Sequence, residues 1–190
     1  VHAVRKIIFW ISVSLDGYFE GPDADISWHQ VDAEFHQYAN DTLAPMSAFL
    51  SGRKTHALMA SFWPTAPETH LDRQQMLQFS ALWMAMPKFV YSRSWADTAW
   101  NTTPVRSVVP AEVQALKALP GGDMTVGGPE LAAEFMRLGL VDEWRIFVHP
   151  VILGRGKRAF EPGAMQMLKL IETKVFGNGV VMIRYSAMNA

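Results

Sequence analysis

The sequence predicts an α/β fold: a mainly parallel sheet with helices on both faces and antiparallel strands added at one edge. Three observations predict it. Short β-branched and aromatic runs alternate with segments of helical spacing as far as about residue 140. Beyond that point strand-like segments follow one another. The tail "MLKLIETKVFGNGVVMIRYSA" carries Gly177-Asn178-Gly179 between two such runs, a strong hairpin signal. With 190 residues the chain can form one domain around a substantial core.

Each element has its own reason. Lys6 to Ser14 is rich in Ile, Phe, Trp and Val and too short for a buried helix, so it is a buried strand, broken by Asp16-Gly17. Val31 to Leu43 has apolar residues at 31, 35, 38, 39 and 43, a helical spacing. "SAFLSGRKTHALMASF" is a strand ending at Ser51, a turn at Gly52 and a helix from about Lys54. "WPTAPETHLDRQQ" contains Pro64 and Pro67 and favours loop. "KFVYSRS" is a strand with a polar turn, residues 95 to 104 are loop, and "VRSVV" is a short strand. "PAEVQALKALPGG" is a helix with Pro110 in its first turn and glycine past its end. "MTV" is a strand that runs through a glycine pair into a helix from Glu130 to Leu140. "EWRIFVHPVIL" is a strand broken by Pro150.

Composition narrows the function. Hydrophobic residues make up 49% and charged residues 18%, as in a soluble globular protein. A net charge of -1 gives no electrostatic footprint for nucleic acid or an anionic membrane. The absence of cysteine excludes disulfides, thiolate metal sites and a Cys nucleophile, and fits a reducing compartment. No signal peptide and no apolar run of bilayer length is visible, so a cytoplasmic location is expected.

Glycines mark three strand ends: Gly17, Gly52 and Gly127-Gly128. In an open α/β sheet, ligands bind beyond the carboxyl ends of the strands. A strand that enters a helix through glycine lets backbone N–H groups approach an anion, and the helix dipole adds to the attraction. Spacing alone also allows a plain tight turn, and the full G-x-G-x-x-G and P-loop patterns are absent. "SGRKT" places Arg53, Lys54 and Thr55 at a strand–helix junction. Positive charge there opposes the helix dipole, and a bound phosphate would reconcile the two. "GRGKR", Gly154 to Arg158, reads as a solvated turn between strands.

The segments "ISVSLDGYFEG", "FLSGRKTHALM", "FVYSRS" and "TVGGPELAAEFMRLGLVDEWRIFVHPVILGRGKRAF" occur in this order. Together they resemble the dihydrofolate-reductase-like superfamily. The likeness is closest to the riboflavin-pathway reductase domain, the C-terminal half of bifunctional deaminase-reductases. The resemblance implies a central mixed sheet of about eight strands, a homodimer, and NADPH bound across the strand ends. It implies that Gly52, Arg53, Lys54 and Thr55 hold the 2′-phosphate and diphosphate, and that Ser92 and Arg93 flank the adenosine. Gly127, Gly128, Pro129 and Glu130 would form the diphosphate turn. Val13 and Ser14 would line the nicotinamide, with Leu15, Asp16 and Gly17 in a mobile loop beside it. Substrate would lie between Trp28, Asp32 and Phe35 on one side and Leu153 and Gly154 on the other.

Two positions depart from the family pattern. Riboflavin-pathway domains carry a glutamate before the glycine turn, where this chain has Val126. True dihydrofolate reductases carry an acid a few residues past a tryptophan, and here Asp32 lies four residues past Trp28. Weak turnover of both family substrates is therefore expected, with another small heterocycle reduced better.

Hydride transfer needs a proton donor or polarising group beside the acceptor. Asp32, Asp16 and Ser14 are the candidates. Helix-start, turn and backbone-bonded roles are the structural alternatives for the three in turn. His29 and His36 are seven apart and could share a helix face, and His56 and His149 look structural. No metal site is expected. The leading function is an NADPH-dependent reductase of a pyrimidine- or pterin-like heterocycle; the alternatives are a dihydrofolate reductase and a nucleotide-binding protein without turnover.

Overall fold

The computed structural model describes residues 4–66 and 73–188. The strands are β1 (Ile7–Ser14), β2 (Tyr18–Glu20), β3 (Ala48–Gly52), β4 (Lys88–Tyr91), β5 (Thr102–Val105), β6 (Met124–Gly127), β7 (Glu143–His149), β8 (Lys157–Arg158), β9 (Leu168–Val175) and β10 (Val181–Ala187). The helices are α1 (Ala33–Leu43), α2 (Arg53–Phe62), α3 (Gln74–Ala85), α4 (Pro110–Ala118) and α5 (Pro129–Arg137). Eight strands form one sheet in the order β5-β4-β3-β6-β1-β7-β10-β9, and β2 pairs with β8 in a separate ribbon. Pairing is parallel from β5 through to β7. β10 runs antiparallel to both β7 and β9, so it alone is reversed in the sheet. The expected mainly parallel α/β fold with an antiparallel tail is the fold observed.

Burial explains the sequence pattern. β1 sits inside the sheet and is covered on both faces, so it reads as a continuous apolar run. Ile7, Phe9, Ile11 and Val13 pack with Val113 of α4 and with Leu131, Ala132 and Phe135 of α5. On the opposite face Trp10 meets Leu43 of α1 and Phe79 and Trp83 of α3. Burying each Val, Leu, Ile or Phe side chain among these stabilises the fold by about 1.5–3 kcal/mol.

Three local expectations are corrected. The strand expected at "VRSVV" lies earlier, at Thr102–Val105, within the stretch read as loop. Pro104 is accommodated there because β5 is an edge strand and its missing N–H costs no central ladder bond. Helix α3 was not anticipated, because its apolar residues are spread round the helix rather than confined to a stripe. Part of the loop expected across Pro64 and Pro67 falls on residues 67–72, outside the described residues. Finally, α1 begins at Ala33, so His29 precedes the helix and shares no face with His36. Among the described residues, no helix is long and apolar enough to cross a membrane.

Candidate active site

Parallel pairing brings the carboxyl ends of β3 and β6 side by side, with Ser51 opposite Gly127. Each strand leads straight into a helix: β3 into α2 at Gly52, and β6 into α5 at Gly128. Neither helix start is capped by a side chain. Two sets of leading N–H groups therefore lie next to each other, each at the positive end of a helix dipole. Arg53 is exposed and makes no hydrogen bond or ion pair among the described residues.

The two glycines of the turn do different work. Gly128 has φ +86°, and a Cβ added to it would meet Thr55 Oγ1 at 2.5 Å. Its conformation and the approach of Thr55 both require glycine. Gly127 has no such constraint: an added Cβ would find its nearest neighbour, Thr55 Cγ2, at an ordinary 3.9 Å. Folding thus accounts for Gly128 and leaves Gly127 without an internal reason. Pro129 occupies the first turn of α5, where its missing N–H has no helical acceptor.

Next to this turn, the loops after β1 and β7 are fastened together. The Asp16 carboxylate accepts hydrogen bonds from Ser14 Oγ (2.7 Å), Leu153 N (3.1 Å) and Gly154 N (2.7 Å). These donors, Ser14 foremost, hold its carboxyl down at about 2. Asp16 is therefore ionised at neutral pH and acts there as an acceptor, not a proton source. Ser14 is fully buried, and its hydroxyl also accepts from Tyr18 N at 2.9 Å. Leu15 N donates to Val151 O and Ala159 N to Gly17 O. Gly154 to Gly156 of the "GRGKR" segment form the expected exposed turn between strands, and Lys157 and Arg158 form β8, paired with β2. A Cβ at Gly156 would lie 2.1 Å from Glu20 O, so this ribbon can close only on glycine. Lys157 forms an ion pair with Glu130 at 2.5 Å, which ties the ribbon to the start of α5.

On the other side of β1, Ser14 pairs in register with His149, the last residue of β7. His149 is fully buried, and its Nδ1 accepts a hydrogen bond from Gln30 N at 2.9 Å. Its ring stacks on His29 (5.1 Å between centroids, 22° between planes) and meets Trp28 edge-on at 5.5 Å. Burial, then the neighbouring His29, lowers its pKa to about 4. Both His149 Nε2 and His29 Nε2 are buried without a hydrogen-bond partner among the described residues.

The remaining expected residues are spread around this edge. Val13 is buried in the core shared with α5, and Phe35 is buried against Phe147, Phe176 and Met182. Asp32 caps α1, accepting from Phe35 N at 2.9 Å. Trp28 donates its indole N–H to Asp25 O at 3.0 Å. Ser92 Oγ accepts from Ser94 N and Trp95 N and shapes the turn after β4, while Arg93 is exposed. Arg106 fixes the same turn by donating to the carbonyls of Ser92, Arg93 and Trp95. Its role was not anticipated, since nothing local marks a lone arginine as the organiser of a turn eleven or more residues away. Val126 is wholly buried in the core of β6, so the position of the expected glutamate faces apolar side chains. A concavity of about 310 Å³ lined by Arg5, Pro45, Gly121 and Asp123 opens at the other, amino-terminal end of the strands.

Comparisons with known proteins agree with this architecture. The chain is 32% identical over 186 residues to the uncharacterized Bacillus subtilis (strain 168) protein YyaP, covering 95% of this chain and 94% of that one. It is 28% identical over 179 residues to the uncharacterized protein YwjB of the same organism, covering 93% and 95%. A putative riboflavin biosynthesis protein from Shewanella sp. PV-4 has the same fold, with a TM-score of 0.73 at 20% identity and coverage of 97% and 99%. So does a Thermotoga maritima diaminohydroxyphosphoribosylaminopyrimidine deaminase/5-amino-6-(5-phosphoribosylamino)uracil reductase, with a TM-score of 0.65 at 13% identity. This chain covers 57% of the Thermotoga chain and is itself covered over 97%. The model of the RibD C-terminal domain matches residues 5–182, and the chain belongs to that family.

Proposed function

We propose that this protein is an NADPH-dependent reductase that transfers hydride to a pyrimidine- or pterin-like heterocycle. The observation that carries the reading is the paired helix start at Gly52 and Gly128, uncapped, adjacent in register and bordered by Arg53. The residues fit a dinucleotide. The N–H groups at the starts of α2 and α5 would take the diphosphate, and Gly127 leaves room for its approach. Arg53, with Thr55, would take a 2′-phosphate through charge-assisted bonds. Arg93, on the turn after β4, would lie along the adenosine portion. A bound nicotinamide would supply the hydride.

The chain's own residues do the positioning. Asp16 holds Leu153 and Gly154 against the end of β1 and so fixes one wall of the substrate slot. Ser14 anchors both Asp16 and the backbone of Tyr18 at the floor. Trp28, Phe35 and the two imidazoles pack together as an aromatic cluster on the opposite side, which would border a flat ring once Trp28 and His29 move aside. Asp32 holds the first turn of α1, which carries Phe35, in place. With Asp16 ionised, the proton that completes the reduction must come from another group, from water or from the substrate. Buried Val126 offers no polar contact, which favours a substrate other than the ribosyl-phosphate intermediate of the riboflavin pathway.

The experiment is NADPH consumption with 5-amino-6-(5-phosphoribosylamino)uracil, dihydrofolate and simpler aminopyrimidines in turn. Oxidation with a simple heterocycle supports the reading. Tight NADPH binding without oxidation by any of them would make the chain a nucleotide-binding protein without turnover. Failure to bind NADPH overturns the reading.

A further inference from the structure

Folding does not account for the Nε2 atoms of His149, at the end of β7, and of His29, stacked on it. His149 Nδ1 accepts the Gln30 N–H at 2.9 Å, so that nitrogen carries no proton. The ring is then neutral and its single proton sits on Nε2, an assignment made by the hydrogen bond itself. That Nε2–H is buried and has no acceptor among the described residues. Buried donors are nearly always satisfied, and an exception calls for an explanation. The ring stands at the carboxyl end of β7, opposite Ser14 of β1, and is walled by Trp28, His29 and Phe35.

We propose that the Nε2–H of His149 recognises the heterocyclic substrate, donating to a carbonyl oxygen or unprotonated ring nitrogen of a flat, uracil-like ring held in this aromatic slot. The proposal rests on the reductase reading above and adds the group that selects the ring. A neutral donor with aromatic walls suits an uncharged acceptor and not a phosphate. The donor lies out of solvent contact beneath Trp28 and His29, so the ring reaches it when this cover shifts. The bonds inside the cover are mostly its own: Trp28 Nε1 and Ser27 N donate to Asp25, and His29 N to Ile26 O. Its links to the rest pass through Gln30, which donates to His149 and accepts from Asn178 Nδ2, and through Asp25, which accepts from Gly21 N and donates to Pro22 O. Segment 21–29, which holds these bonds within itself, can therefore shift as a unit. His29 Nε2, equally without a partner, would meet the same ring.

The test follows the imidazole directly. The side-chain ¹⁵N spectrum of the wild-type protein near neutral pH should show His149 as the Nε2–H tautomer. On titration with 5,6-diaminouracil, the His149 Nε2–H resonance should shift and saturate with binding. His149→Phe keeps the ring and removes both nitrogens. It should weaken the probe about tenfold or more while NADPH binds as in wild type, and His149→Gln, which restores an amide donor, should recover part of the loss. An Nδ1–H tautomer, saturable binding with no response at His149, or no binding of the probe to wild type overturns the proposal. NADPH affinity, measured in the same samples, shows separately whether the reductase reading stands. The wild-type spectra decide the matter even if a variant fails to fold.

Discussion

A Cβ at Gly128 would fall 2.5 Å from Thr55 Oγ1, so the starts of α5 and α2 touch through a position that admits no side chain. Its neighbour Gly127 meets no such obstacle, the nearest atom to an added Cβ being 3.9 Å away. The two glycines should therefore fail differently. Gly128→Ala should destabilise the protein by about 2 kcal/mol or more, from its positive φ and the clash, lowering Tm by about 5 °C or more. Gly127→Ala should melt like wild type and lose NADPH affinity. Thermal unfolding without ligand, set beside a cofactor titration, separates the two; a Gly127→Ala protein that binds normally contradicts the role given to that residue.

Arg53 should decide between the two nicotinamide cofactors. A charge-assisted bond to a phosphate contributes about 1.5–3 kcal/mol. Arg53→Ala should thus weaken NADPH about 10- to 100-fold and leave NADH nearly unchanged. Equal weakening of both would show that Arg53 does not contact the 2′-phosphate.

Asp16 should act as a clamp that acid releases. Its pKa in the folded protein is lowered to about 2, below the ordinary 3.8. Its contribution is therefore complete above that ordinary value and is lost as pH falls through about 2. The Gly154 amide resonance should titrate with that midpoint. Asp16→Asn should raise hydrogen exchange at Leu153 and Gly154, because one charged acceptor of both N–H groups becomes a neutral amide. Unchanged exchange would mean that the β2–β8 ribbon alone holds the loops.

Much of the architecture was legible in the residues, because both-face burial writes a continuous apolar run at β1 and the Gly177-Asn178-Gly179 turn announces the β9–β10 hairpin. The strand-to-helix passages at Gly52 and Gly128 were legible for the same local reasons. Contacts between residues distant in sequence were not. Asp16 reads as a turn residue, and two of its three carboxylate partners lie 137 and 138 positions away. His149 looks like one more core histidine until β7 sets it beside Ser14 and Gln30 reaches its Nδ1. Thr103 and Pro104 read as loop because the tolerance of an edge strand for proline depends on a sheet order that no local window contains.

Stability should fall with acid well above the range of the carboxylates. His149 has its pKa lowered from 6.5 to about 4, first by burial and then by His29. Between these values the unfolded chain binds a proton that the folded protein does not, so stability declines as pH drops from about 6.5 toward 4. The full loss from this residue is about 3 kcal/mol. His29, His36 and His56 are lowered by burial in the same direction and deepen the decline. Urea unfolding across this range should show the slope, and His149→Phe should flatten it; an equal slope in the variant would place the effect elsewhere.

The central claim is that a dinucleotide phosphate binds where α2 and α5 begin. Backbone amide spectra recorded during an NADPH titration test it most directly. The account predicts saturable shifts concentrated at Gly52 to Thr55 and at Gly127, Gly128 and Glu130, with smaller effects at Ser92 and Arg93. Shifts confined to the concavity around Arg5 and Gly121, or none at millimolar NADPH, would contradict it.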